Sequence, residues 1–350
     1  MMRPSDQPKR GWPAGALVLF LSLASSAPAV TVEEYLTPTA DSSPHDLMFA
    51  PDGRLWFTMI HANKIGVLDP AKVRPGTSEG ITEYPVPHPQ AAPNYLTVAR
   101  DGTVWFSEMT GNRIARMDPA TGRYRGYDIP SANSEPHRVL EGPEGNIWFT
   151  EFNTNKIGRL DPKTGAIREY PVGPGNPHGL VFAGGALWYT QGGRFFAGQF
   201  ANKLGRLDPK TGEYREIVVP PEKSVPHGLT VTSKGGLWFT LMFSSAIGRL
   251  HPDGKGFDLF SMGKRRGPHD LKVDEQRGRV WVTLGRPDAI GRLDLARARP
   301  GTSEGLDTIP IRKGSHARQL VVGPDGSVWY AAMGMYFRGK FDYRIGRIIP

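Results

Sequence analysis

Residues 135–172 read EPHRVLEGPEGNIWFTEFNTNKIGRLDPKTGAIREYPV, and this phrase decides the fold. The apolar run after Pro136-His137 reads as a first strand, and Pro143-Glu144-Gly145 turns the chain. IWFT (147–150), bulky and aromatic, is a second strand. NKIGRL (155–160) is a third, ended by Asp161-Pro162 and a Thr164-Gly165 turn, and IREY (167–170) alternates as a fourth.

The phrase repeats outward in both directions. Trp56, Trp105, Trp148, Trp188, Trp238, Trp281 and Trp329 sit in the same context. They are spaced roughly 40–50 residues apart, the period of a propeller blade. Seven four-stranded units with no helical segment between them predict an all-β, seven-bladed β-propeller over residues 31–350. The last repeat stops after its third strand at Pro350, while TVEEYL (31–36) reads as a fourth strand with no repeat before it. The N-terminal strand is therefore expected to complete the last blade and leave no open edge. RPGTSEG, at 74–80 and 299–305, lengthens two links between third and fourth strands. Two Gly- and aromatic-rich stretches, 192–201 and 334–343, lengthen links between second and third strands.

Residues 1–30 differ from the repeats. Arg3, Lys9 and Arg10 precede an apolar run over 14–24 and the small residues SSAPA, the pattern of a secretory signal peptide. The expectation is export to the periplasm or medium, with no stable membrane insertion once the signal is cleaved, because the run is short for a permanent span. Hydrophobic content of 39% with 22% charged residues is globular, and Gly 43 with Pro 32 suits a fold of many turns. The absence of cysteine excludes disulfides and thiolate chemistry. A net charge of +9 favours anionic partners. No basic cluster interleaved with aromatics suggests a nucleic-acid groove. The chain is expected to be a monomer that takes a small or oligomeric substrate at the channel mouth.

The residues just before the first strands are His45, Asn94, His137, His178, His227, His269 and His316, expected to ring one mouth of the central channel. A histidine there also serves simply by hydrogen-bonding the neighbouring blade. The third repeat stands out. Its hairpin centres on residue 144, which sets His137 opposite Glu151 to within a residue. Glu135 lies two residues before His137 and presents its side chain to the same side if that segment is extended. Two carboxylates and an imidazole suit a hard cation such as Mg²⁺, with the imidazole free to take a proton from a polarised substrate. A surface ion pair accounts for the same residues. Glu108 holds the position equivalent to Glu151, where the other repeats carry Met59, Gln191, Leu241, Leu284 and Ala332.

The phrases PHDLMFAPDGRLWFT (44–58), NIWFTEFNTNKIGRLDP (146–162) and ITEYPVP (81–87) resemble the repeats of the virginiamycin B (streptogramin B) lyase family over essentially residues 31–350. That family opens a cyclic depsipeptide at its ester by elimination, with Mg²⁺. Its Glu-x-His pattern, followed by Glu fourteen residues after the His, falls on Glu135, His137 and Glu151. The resemblance implies that Glu135 and Glu151 bind Mg²⁺ and that His137 is the general base or acid. It makes Asn94 the counterpart of a substrate-contacting histidine. In the family the site-bearing repeat comes late in the chain, whereas here it is the third. The antibiotic lyases also lack an export signal. Three function classes follow: a metal-assisted lyase acting on an ester-linked or uronate-type substrate, a non-catalytic ligand- or protein-binding propeller, and a gluconolactonase-like hydrolase. The last lacks its usual set of acidic and Asn metal ligands.

Overall fold

A computed structural model describes residues 30–335 and 340–350. The signal-like segment, save Val30, lies outside these residues, as does part of the 334–343 stretch. The described strands form seven four-stranded antiparallel sheets, six of them in simple sequential order. Blades 1 to 6 span residues 44–85, 93–128, 136–171, 177–218, 226–261 and 268–310. Blade 7 combines the strands Ala317–Val322, Val328–Met335 and Lys340–Ile349 with the N-terminal strand Thr31–Leu36.

The closure has a visible packing reason. In blade 3 the second-strand Trp148 stacks on fourth-strand Tyr170 at 5.5 Å, and Arg159 lies 5.5 Å from the Trp148 ring centroid. Blade 7 reproduces this with Trp329, Arg347 and Tyr35, the last supplied by the N-terminal strand and stacked at 5.4 Å. Thr31 pairs with Ile349 and Leu36 with Arg344, so the two ends of the propeller share one sheet.

The repeated aromatic–glycine pair has an equally direct cause. Phe149 lies flat over Gly158, its cross-strand partner, where a Cβ would come within 2.0 Å of the ring. Gly205 and Gly346 lie under Tyr189 and Tyr330 in the same way, which lets a large ring fill the space between blades. The clusters so formed cross blade boundaries: Trp148, Ile157 and Tyr170 pack with Leu180, Leu187 and Tyr189 of blade 4.

Every first strand carries a register break just after its opening residue, as between Pro136 and Val139. Two residues are thereby released from the ladder toward the axis, a bulge re-aiming side chains. The second of them is tied by a hydroxyl. The Arg138 amide donates to Thr150 Oγ1 at 3.0 Å, and Thr150 Oγ1 donates to the His178 carbonyl of the next blade at 3.1 Å. The residue before each break holds a left-handed conformation in all seven blades: Ser43, Ala92, Glu135, Asn176, Val225, Gly267 and His316, with φ of 47° to 56°.

These features correct one expectation. In blade 7 Ala317 pairs with Ala332, as Pro136 pairs with Glu151, and Thr283 Oγ1 donates to the Arg318 carbonyl. The seventh member of the axial ring is therefore Arg318. His316 occupies the left-handed position equivalent to Glu135. The segment around Glu135 is likewise a left-handed turn and not extended chain.

Candidate functional site

The axial ring consists of His45, Asn94, His137, His178, His227, His269 and Arg318, the first six of them buried. Its imidazoles crowd one another: His178 and His227 centroids lie 3.6 Å apart, and His227 and His269 3.9 Å. Burial, with the nearby cationic groups Arg318 and Arg138, holds His227 down at about 3, and His45, His178 and His269 are likewise pushed well below the ordinary imidazole value. His45 and His227 each turn Nδ1 to a backbone carbonyl, of Asn94 and His269 respectively, both at 3.1 Å. The structural role foreseen for these histidines is therefore present in blades 1 and 5.

The next residue along each first strand forms a second layer at the axis. Tyr95, 2% exposed, meets the rings of His45, His137 and His178, and its hydroxyl accepts from Gln319 Nε2 of blade 7 at 3.2 Å. The Arg138 guanidinium lies 5.0 Å from the Tyr95 centroid and 3.5 Å from Asp46 Oδ1. This layer went unread in the sequence. Its only signal was that Tyr95 and Arg138 stand where blades 4 and 5 have Gly179 and Gly228.

At the mouth, His137 stacks on Phe152 at 4.8 Å with the ring planes 7° apart. Both its nitrogens are buried without a hydrogen bond, and Glu135 Oε1 lies 3.5 Å from Nε2. Burial opposes charge on Glu135, but His137, Arg194 and Asn153 outweigh it and hold this carboxyl below its usual range. Asn153 is itself held by Arg194 Nη2 at 2.6 Å. The structure thus brings Glu135 and His137 together.

Glu151 faces other partners. Directly across from Pro136, it is fully buried and accepts from Thr154 Oγ1 at 2.8 Å through Oε2. It also feels the Glu169 carboxylate of the fourth strand, which pairs with Lys156 at 3.2 Å. Burial first, then the Glu169 charge, pushes Glu151 up to about 8. Its Oε1 has no hydrogen-bond partner. Among the described residues no three His, Asp or Glu side chains converge as a metal cluster. Asn94 is buried, its Nδ2 3.3 Å from Met109 Sδ and its Oδ1 without a partner.

A model of the virginiamycin B lyase family matches residues 30–338. The chain belongs to that family. Among solved structures, a streptogramin B lyase is 28% identical with a TM-score of 0.78, covering 91% of this chain and 97% of that one. Virginiamycin B lyase from Staphylococcus aureus is 28% identical with a TM-score of 0.77, covering 92% of this chain and all of the other. A catalytically inactive His-to-Ala variant of the S. aureus lyase with quinupristin matches equally well. No curated protein matches. Within this chain the last blade departs from blade 3: His316, Arg318 and Ala332 stand at the positions that hold Glu135, His137 and Glu151 in blade 3. No helix among the described residues is long and apolar enough to cross a membrane.

Proposed function

We propose that the chain is a lyase of the virginiamycin B lyase type, acting on an ester-linked or uronate-type substrate at the channel mouth, with blade 3 as its working blade. The observation that carries this reading is the state of His137: buried, clamped against Phe152, both nitrogens without a hydrogen bond, and Glu135 at 3.5 Å. An imidazole so placed takes a proton from the carbon beside a carbonyl. The C–H electron pair becomes the new C=C bond, the C–O bond breaks, and the oxygen leaves with its electron pair. Glu135 steadies the imidazolium that forms.

Mg²⁺ belongs to the same proposal. It binds proteins through one or two carboxylates and keeps several waters, so a three-ligand cluster is not required. Glu135 and Glu151 would hold it, and the open Oε1 of Glu151 supports this. When bound, the ion would stabilise negative charge developing on the substrate carbonyl. Asn94 would offer its amide to substrate, and its unpartnered Oδ1 supports that role. Export is proposed on the charged and apolar pattern of residues 1–30.

A second reading, a binding propeller without turnover, is favoured by one observation: Glu151 makes its contacts with Thr154 and Glu169 and not with the Glu135–His137 pair. Incubation with a streptogramin B ester and with uronate oligomers, with and without Mg²⁺, separates the two. An unsaturated product without incorporation of ¹⁸O from solvent water is expected. Incorporation would mean hydrolysis, and the absence of any product with either substrate would leave the binding propeller.

A further inference from the structure

A cleft of about 1380 Å³ opens beside the ring across blades 5 to 7, the side of the ring opposite blade 3. Its lining is strongly one-signed: Arg265, Arg266, Arg286, Lys313 and Arg318 against a single carboxylate, Asp288. That carboxylate is already engaged. Its oxygens accept the Gly314 and His316 amides at 2.8 and 2.9 Å, and the His316 imidazole lies 3.6 Å away. Arg265, Arg266, Arg286 and Lys313 make no ion pair with any described residue, unlike most arginines on the blade faces, which lie against a Trp or a carboxylate. Burial draws the Arg318 guanidinium down to about 10. One wall is apolar, with Met242, Phe195 and the half-exposed Phe243, whose rings meet at 5.5 Å.

We propose that this cleft binds an oligomeric carboxylate, a short chain of acidic units whose carboxylates meet the arginine forks and whose apolar faces lie on Phe195 and Phe243. Guanidinium groups pair carboxylate oxygens two at a time, which favours acid groups over a diffuse negative surface. The cations come from three separate places: the segment before blade 6, the tip of its second strand, and the segment leading into blade 7. The cations are thus spread over several loops, and the volume exceeds the roughly 300–1000 Å³ of an ordinary small-molecule pocket. Spaced charges along a chain satisfy both constraints. The ligand overlaps the uronate-type substrates of the lyase reading, but the cleft is a separate place from blade 3 and binding there does not require turnover.

The test is calorimetric titration of the full chain in EDTA, so that binding is read without turnover. The probes are tetragalacturonate and its fully methyl-esterified form, which has the same backbone and no charge. The acid is expected to bind and the ester to bind at least tenfold more weakly, with salt weakening the acid alone. The double variant Arg265→Ala/Arg286→Ala removes exposed side chains and should weaken the acid at least tenfold at an unchanged thermal midpoint. A control, Arg123→Ala/Lys163→Ala, removes two exposed cations far from the cleft and should change nothing. The proposal is overturned if the acid fails to bind, if acid and ester bind alike, or if the control weakens binding as much as the cleft variant.

Discussion

Blades 3 and 7 are built on one plan and carry opposite chemistry. In both, a second-strand Trp is sandwiched between a third-strand Arg and a fourth-strand Tyr, and a left-handed residue precedes a register break that aims the next two side chains at the axis. Blade 3 fills the mouth positions with Glu135, His137 and Glu151, and blade 7 with His316, Arg318 and Ala332. Even the surroundings of the third position correspond. Lys156 and Glu169 flank Glu151, while Arg344 and Glu34 occupy the equivalent register beside Ala332 and pair at 3.5 Å. The backbone fixes where a mouth side chain sits, and on the two proposals above its identity decides whether the site moves protons or attracts anions.

The largest expected effect breaks the comparison at its one structural asymmetry. Blade 3 is made from contiguous chain, whereas blade 7 borrows residues 31–36. Deleting those six residues removes Tyr35 from Trp329 and Glu34 from Arg312 and Arg344. Loss of a buried aromatic alone costs about 3–5 kcal/mol. The thermal midpoint should fall by about 10 °C or more, and an unchanged midpoint would show that the ring closes by other means.

Next in size, His137→Ala should lower turnover about a hundredfold, the scale of a missing general base, with the thermal midpoint held within a degree or two. A variant with full activity would move the chemistry out of blade 3. A smaller effect concerns pH. His45, His178, His227 and His269 have folded values below the unfolded value near 6.5, so between pH 6.5 and about 3 the unfolded chain binds more protons. Their contribution is present above pH 6.5 and lost as the pH falls toward 3. Arg318, the blade 7 member, stays charged throughout. Thermal midpoints measured between pH 7 and 4 should therefore drop, and His227→Gln, which leaves Arg318, Arg138 and the other imidazoles in place, should flatten the slope. An identical slope in the variant would remove His227 from the account. The smallest effect is Asn94→His, expected to raise activity toward a streptogramin B ester several-fold. No change would mean that the mouth has been adapted to another substrate.

Period, strand order and closure were legible because each rests on repeated side chains and phrases: the seven tryptophans, the recurring turn and IGRL-type segments, and the lone fourth strand at residues 31–36. The pairing partners of the opening residues, from Met59 round to Ala332, were also legible, because hairpin register follows from loop length. The ring was misread in blade 7 because SHAR (315–318) offers a histidine two residues early, in the left-handed position, and nothing in composition distinguishes the two places. The Glu151–Glu169 contact was hidden for a different reason. It joins strands that are not neighbours, diagonally across Lys156, and no spacing within a hairpin encodes it.

Tyr95 and Gln319 meet across the ring and tie blade 2 to blade 7 over the axis. On the lyase proposal, a product formed at His137 beneath that tie leaves by the mouth through which the substrate entered. Such traffic sets a kinetic signature: product should compete with substrate for the free protein, and bulky substrates should turn over at the pace of release and not of bond breaking.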